Sequence, residues 1–188
     1  PSLLKLSKKI KKPIVTYGTS IDADFRAVNI SFKRNISKYL LLHKELELGE
    51  IVVNAPGMHN VLNSLAAMAL GHELNISFDI LKNGIANYNG VRRRFDIKEN
   101  NSDIIVVDDY AHHPTEVKAT IDAAVSGWDK EIIVVFQPHL FTRTRDFYKE
   151  FAKSLYKSNF ILITDIYPAR EQPIKGINSK LIIDELKK

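Results

Sequence analysis

Three short apolar runs, separated by two amphipathic stretches, set the tightest limit on what the second half of this chain can become. Residues 104–107 (IIVV), 132–136 (IIVVF) and 160–164 (FILIT) are rich in β-branched and aromatic side chains. Each reads as a strand, and an unbroken apolar run is expected of a strand buried on both faces. Pro114 stands where the first turn of a helix tolerates proline, residues 115–125 carry helical spacing, and Gly127 is a natural stop. Residues 143–157 predict a second helix with Phe147, Phe151, Leu155 and Tyr156 on its apolar side. Strand, helix, strand, helix, strand predicts a parallel sheet with right-handed crossovers. Residues 181–188 begin another helix.

The first half has a different texture. Residues 14–17 form a short β-rich run ended by Gly18, and residues 25–32 alternate apolar with polar. Residues 39–42 and 51–53 read as further strands, with Gly49-Glu50 as the turn between them. Helical spacing follows over residues 58–73, after the breaker Pro56-Gly57, and again over residues 78–87 with Ser77 as N-cap. A connection near residues 88–91 divides the chain into domains 1–89 and 90–188.

Composition removes several classes of function. There is no cysteine, which excludes a disulfide scaffold, a thiolate metal site and a cysteine nucleophile, and fits a reducing compartment. Apolar runs such as residues 132–136 fall far short of the roughly 20 residues a spanning helix needs. The formal charge of +5 suits either a solvated surface or an anionic partner, a nucleotide or a nucleic acid. The chain opens on Pro1-Ser2 without an initiator Met, as expected of an excised or processed piece.

In parallel α/β sheets, ligands bind beyond the carboxyl ends of the strands. The residues there are 108–114 (DDYAHHP), 137–145 (QPHLFTRTR) and 165–171 (DIYPARE), three segments dense in His, Arg, Asp and Tyr. The first could bind a metal, cap the following helix, or grip a ligand's hydroxyls and polar groups. The second places Arg143 and Arg145 at a helix N-terminus, where the helix dipole disfavours cations unless an anion offsets them. In the first half, His59, Asn60 and Asn63 open a helix; Asn offers a donor and an acceptor to an adenine edge, or simply caps. Residues 92–95 (RRRF) are a charge run. No P-loop and no G-x-G-x-x-G is present, so nothing here cradles a triphosphate alone. A nucleic-acid module would spread its basic residues along one face with exposed aromatics; the mixture of His, Asp and Asn at strand ends suits a small ligand better.

Residues 57–67 (GMHNVLNSLAA), 90–95 (GVRRRF), 108–116 (DDYAHHPTE), 137–146 (QPHLFTRTRD) and 167–174 (YPAREQPI) resemble, in order, segments of the Mur ligases. These are ATP-dependent enzymes that build the peptide of bacterial cell-wall precursors. The resemblance spans most of the chain. It is strongest to the branch that adds alanine; the muropeptide-recycling branch would share the DDYAHHPTE segment but not QPHxxTRTRD. It implies an α/β fold: a C-terminal Rossmann-like domain with a mainly parallel sheet, preceded by the end of the central ATPase domain. It further implies a cytoplasmic enzyme acting on ATP, L-alanine and UDP-N-acetylmuramate, with Mg²⁺ held in a part upstream of this sequence. By position, His59, Asn60, Asn63, Arg94 and Asp109 correspond to the ATP-side residues. Tyr110, His112, His139 and Arg143 correspond to the alanine pocket, with His112, His139 and Arg143 nearest the chemistry. The position after His139, often Arg in the family, is Leu140 here, and the stretch between Phe95 and Asp108 is short, as expected of a trimmed hairpin. A piece without the P-loop is expected to be inactive by itself.

Overall fold

The computed structural model describes Ser7, residues 9–101 and residues 103–188; the first six residues of the expected 1–89 domain lie outside them. The chain divides into two compact units, one of residues 1–31, 36–54 and 59–88, the other of residues 32–35, 55–58 and 89–188.

The first unit is built on a four-stranded sheet in the order β1 (Tyr17–Gly18), β2 (Phe25–Lys33), β3 (Ile36–His43), β4 (Leu46–Val53). β1 pairs parallel with β2 and β3 antiparallel with β4. Only Tyr17 and Gly18 of the predicted 14–18 run are strand, because β1 has a two-residue ladder to pair with. Alternation along β2 and β3 puts Phe25, Ala27, Tyr39 and Leu41 into the core. There they meet Val61, Leu65 and Met68 of α1 (Met58–Glu73). The predicted turn at Gly49-Glu50 is a correction: the chain reverses at Lys44-Glu45, with Lys44 at φ 54°, and Gly49 lies inside β4. The reason is packing. A Cβ on Gly49 would stand 3.1 Å from Cζ of Phe78, the first residue of α2 (Phe78–Ala86), so glycine marks a close approach rather than a reversal. Ser77 stands at the N-cap of α2, but its side chain makes no capping bond.

In the second unit, β5 (Asp96–Asn100) and β6 (Ile105–Asp108) form an antiparallel pair, and β7 (Ile133–Phe136) and β8 (Phe160–Ile163) a parallel one. Among the described residues β6 and β7 share no ladder, so the unit holds two separate two-stranded sheets. β5 has a polar sequence, DIKEN, and no periodic signal marks it as a strand. Three helices accompany the strands: α3 (Pro114–Gly127), α4 (Phe141–Leu155) and α5 (Lys180–Leu186). Val117 and Ile121 of α3, Phe136 of β7, Phe151 and Leu155 of α4 and Ile182 of α5 form one buried cluster, with Val134, Ile161 and Ile163 packed against it.

The expectation that these strands are buried on both faces needs correcting. Val134 and Phe136 turn to the helices, whereas Ile133 and Val135 stay 63% and 68% exposed, and Phe160 and Leu162 alternate in the same way. The helices cover one face only. Between β6 and β7 lies an apolar groove of about 730 Å³, lined by Ile105, Val107, Val134, Phe136 and, from α3, Val117 and Ile121.

Candidate functional site

The three strand-end segments of the second unit converge. An isolated parallel bridge joins His139 to Tyr167, continuing the β7–β8 pairing past the strands. The Leu140 amide donates to the Tyr167 carbonyl at 2.9 Å, and the Tyr167 amide to that of Pro138 at 2.8 Å. A row of rings follows: Tyr110 on His112 (4.9 Å between centroids), His112 near His139 (5.9 Å), and His139 stacked with Tyr167 (5.5 Å, 25°). Arg143, on the first turn of α4, ties the row together. Its Nη1 donates to the His112 carbonyl and to Nδ1 of His139, both at 3.3 Å.

These bonds fix the imidazoles. A guanidinium only donates, so Nδ1 of His139 is an acceptor and a proton resides on Nε2. Nδ1 of His112 lies 2.8 Å from the Tyr110 carbonyl, which only accepts, so His112 is protonated at Nδ1. Burial, and then the charge of Arg143, hold the His139 imidazole below its ordinary pKa, which favours the neutral ring. The arrangement therefore offers a fixed cation, an N–H donor on His139 and, in neutral His112, a lone pair on Nε2. That set can bind a small zwitterion.

The anion expected at the N-terminus of α4 is supplied by the protein. Glu171 accepts from the Thr142 amide at 3.0 Å and from the Thr142 hydroxyl. The Thr142 hydroxyl, then its amide, hold the Glu171 carboxyl below its ordinary pKa. The N-cap position itself, Leu140, contributes no side-chain bond and has a left-handed φ of 73°.

The aspartates and the second histidine of the first segment are engaged. Asp109 accepts from the Phe95 amide (2.9 Å), the Ala111 amide (2.8 Å) and the Thr120 hydroxyl (2.9 Å). Asp108 pairs with Arg93 at 3.8 Å, and the Arg93 guanidinium lies 4.7 Å over the Tyr110 ring. His113 caps α3: its Nδ1 accepts from Thr115 while Glu116 accepts from the His113 amide. Glu116 also takes the His112 amide at 2.9 Å and stands 3.8 Å from Arg94, which is exposed.

In the first unit, His59, Asn60 and Asn63 lie on the first turns of α1, the first two half-buried and Asn63 exposed. Among the described residues no group of three or more His, Asp or Glu could hold a metal ion. No helix among them is long and apolar enough to cross a membrane. Sequence reading passed over Tyr167 and Glu171 as individual residues. The signal was available, since both lie on the segment following the third strand, at the sheet edge already singled out.

Comparison with known proteins places these features in a family. Residues 93–188 match the model described as "Mur ligase, glutamate ligase domain", and residues 1–71 the Mur ligase middle domain. The UDP-N-acetylmuramate–L-alanine ligase of Geotalea daltonii is 45% identical over 179 residues, 95% of this chain and 39% of that protein. The ligase of the same name from Geobacter sulfurreducens is 40% identical over all of this chain and 41% of its own length. The chain thus spans about two-fifths of the relatives it matches. Among solved structures, the UDP-N-acetylmuramate–alanine ligase MurC of Thermotoga maritima is 30% identical, with a TM-score of 0.76 over 92% of this chain and 37% of its own. The Thermotoga maritima MurF ligase in complex with ADP shares the fold at 17% identity, with a TM-score of 0.69 over 87% of this chain and 38% of its own.

Proposed function

The chain belongs to the Mur ligase family, and we propose that it is the amino-acid-binding part, with the end of the ATP-binding part, of a ligase joining L-alanine to UDP-N-acetylmuramate. In this reading residues 1–89 end the central ATP domain and residues 90–188 form the amino-acid domain. One observation carries it: Arg143 is held between His139 and the His112 carbonyl, beside Tyr110 and Tyr167, where the segments after β6, β7 and β8 meet.

Arg143 takes the α-carboxylate of alanine. Its fork pairs with a carboxylate through parallel N–H bonds, which a lysine cannot reproduce. His139, neutral and protonated at Nε2, donates a further bond to that carboxylate. His112, protonated at Nδ1, leaves Nε2 to accept a proton from the amine that attacks. Tyr110 and His112 limit the space for the side chain. Such a pocket rejects bulk by sterics but separates glycine from alanine by only about 1–3 kcal/mol. ATP, when bound, supplies the activation of the sugar's carboxylate as an acyl phosphate. His59, Asn60 and Asn63 are assigned to its adenine side and Arg94 to its phosphates. Asp109 is assigned to its ribose, through whatever acceptor capacity its three internal bonds leave.

The test requires a polypeptide of full family length. Phosphate release from MgATP should depend on both UDP-N-acetylmuramate and L-alanine, and Arg143→Ala should raise the alanine KM with little effect on the ATP KM. Release with a peptide in place of alanine would assign the chain to a recycling ligase instead, and an unchanged alanine KM would remove Arg143 from the site.

A further inference from the structure

Glu171 lies 28 residues beyond Arg143 in sequence, yet it holds the helix turn that carries Arg143. The first turn of α4 contains no acidic residue and carries Arg143, a poor match to the helix dipole. Its N-cap residue provides no side-chain acceptor, so the Thr142 amide takes a carboxylate from elsewhere. Glu171 supplies it and accepts from the Thr142 hydroxyl as well.

The segment delivering Glu171 is itself a belt. It starts at Tyr167, bridged to His139, and closes through the Glu171 amide on the Pro168 carbonyl at 2.9 Å. Two residues bearing side chains sit in the left-handed region on either side of the clamp, Leu140 at φ 73° and Ala169 at φ 51°. Conformations of this kind persist where the surroundings over-determine them. Here the surroundings are the two backbone bonds between Leu140, Pro138 and Tyr167, and the Glu171 clamp.

We propose that Glu171 is a positioning residue of the amino-acid site: by capping α4 from the belt, it fixes Leu140 and thereby the placement of Arg143 and of the His139–Tyr167 stack. It does not touch the amino acid. This role rests on the reading that Arg143 and His139 hold the amino acid's carboxylate, and it adds that the carboxylate does not use the N-terminus of α4, which Glu171 occupies.

The experiment is a double-mutant cycle in the full-length ligase, with Glu171→Ala, Glu171→Gln and Arg143→Lys. Glu171→Ala should raise the alanine KM about fivefold, with kcat at saturating alanine and the ATP KM held within about twofold. Glu171→Gln keeps an acceptor for the Thr142 amide and should recover most of the loss. On the Arg143→Lys background, where the fork is already gone, Glu171→Ala should add less than about twofold. An unchanged alanine KM in Glu171→Ala, an equal rise on both backgrounds, or a fall in kcat alone would overturn the proposal. If Arg143→Lys raises the alanine KM and Glu171→Ala does not, only the positioning role is lost. If Arg143→Lys itself leaves the alanine KM unchanged, the amino-acid site falls and the role of Glu171 with it.

Discussion

At the residue scale, the bond from Arg143 to His139 makes the site sensitive to acid. Protonating Nδ1 of His139 would convert an acceptor into a cation facing a guanidinium, which is why burial and Arg143 depress its pKa. The unfolded chain then binds more protons on this ring than the folded one does. The contribution to stability is complete above the ordinary imidazole value of about 6.5 and is lost as the pH falls from there towards the folded value. An NMR titration of the His139 ring should give a midpoint below the ordinary imidazole value, and Arg143→Ala should raise it. A His139 midpoint at or above the ordinary imidazole value would contradict the geometry. Arg143→Lys keeps the charge but not the fork, so the alanine KM should rise roughly tenfold, the size of one charge-assisted hydrogen bond. Tyr110, His112, His139 and Arg143 were legible in the sequence because they are chemically conspicuous and close in sequence to the strand ends. Tyr167 and Glu171 were legible only as members of the third strand-end segment, because a capping carboxylate supplied from a distant loop leaves no local spacing that singles it out.

At the element scale, buried hydroxyls and caps decide which helices hold their strands. Ser64 of α1 donates its one proton to the Val61 carbonyl at 2.9 Å, so the phenol of Tyr39 on β3 must be the donor in the 3.1 Å contact between them. Burial pushes the Tyr39 pKa up to about 12. Ser64→Ala strands the phenol and should cost about 1–3 kcal/mol in denaturant unfolding, whereas Tyr39→Phe leaves Ser64 satisfied and should cost about 1 kcal/mol. Equal costs would remove the assigned direction of that bond. At α3, burial opposes ionisation of Glu116, but the His112 and His113 amides and the nearby Arg94 and His112 side chains still hold its pKa down. Its stabilisation is therefore present above the ordinary glutamate value and is lost as the pH falls through the folded one. Glu116→Ala should cost about 1 kcal/mol at neutral pH and less in acid, measured by the same unfolding curves. Helix positions were readable from apolar spacing and from Pro114. The β3–β4 reversal was not, because Gly49 serves a positive φ of 139° inside β4 and a close approach to the ring of Phe78, which is distant in sequence, and not a turn.

At the scale of the whole molecule, what the sequence could not reveal was which strands pair. Four apolar residues in a row read as two buried faces, and only the placement of α3, α4 and α5 on one side shows that Ile104, Val106, Ile133, Val135, Phe160 and Leu162 remain 47–68% exposed. An apolar surface of this kind on a separate chain is an association site. The 188-residue chain should bind a hydrophobic dye and scatter light increasingly with concentration. Val135→Glu, on the exposed face, should reduce both without changing the circular dichroism. A non-scattering chain with no dye signal would show that this face is covered. The missing ladder between β6 and β7 also bears on the site above it. Tyr110 and His112 stand on one bank of that seam, and His139 and Tyr167 on the other, joined near its mouth by the reach of one arginine. With no strand ladder between the two banks among the described residues, their separation rests on the contacts of Arg143 with the His112 carbonyl and His139 and on the approach of the His112 and His139 rings.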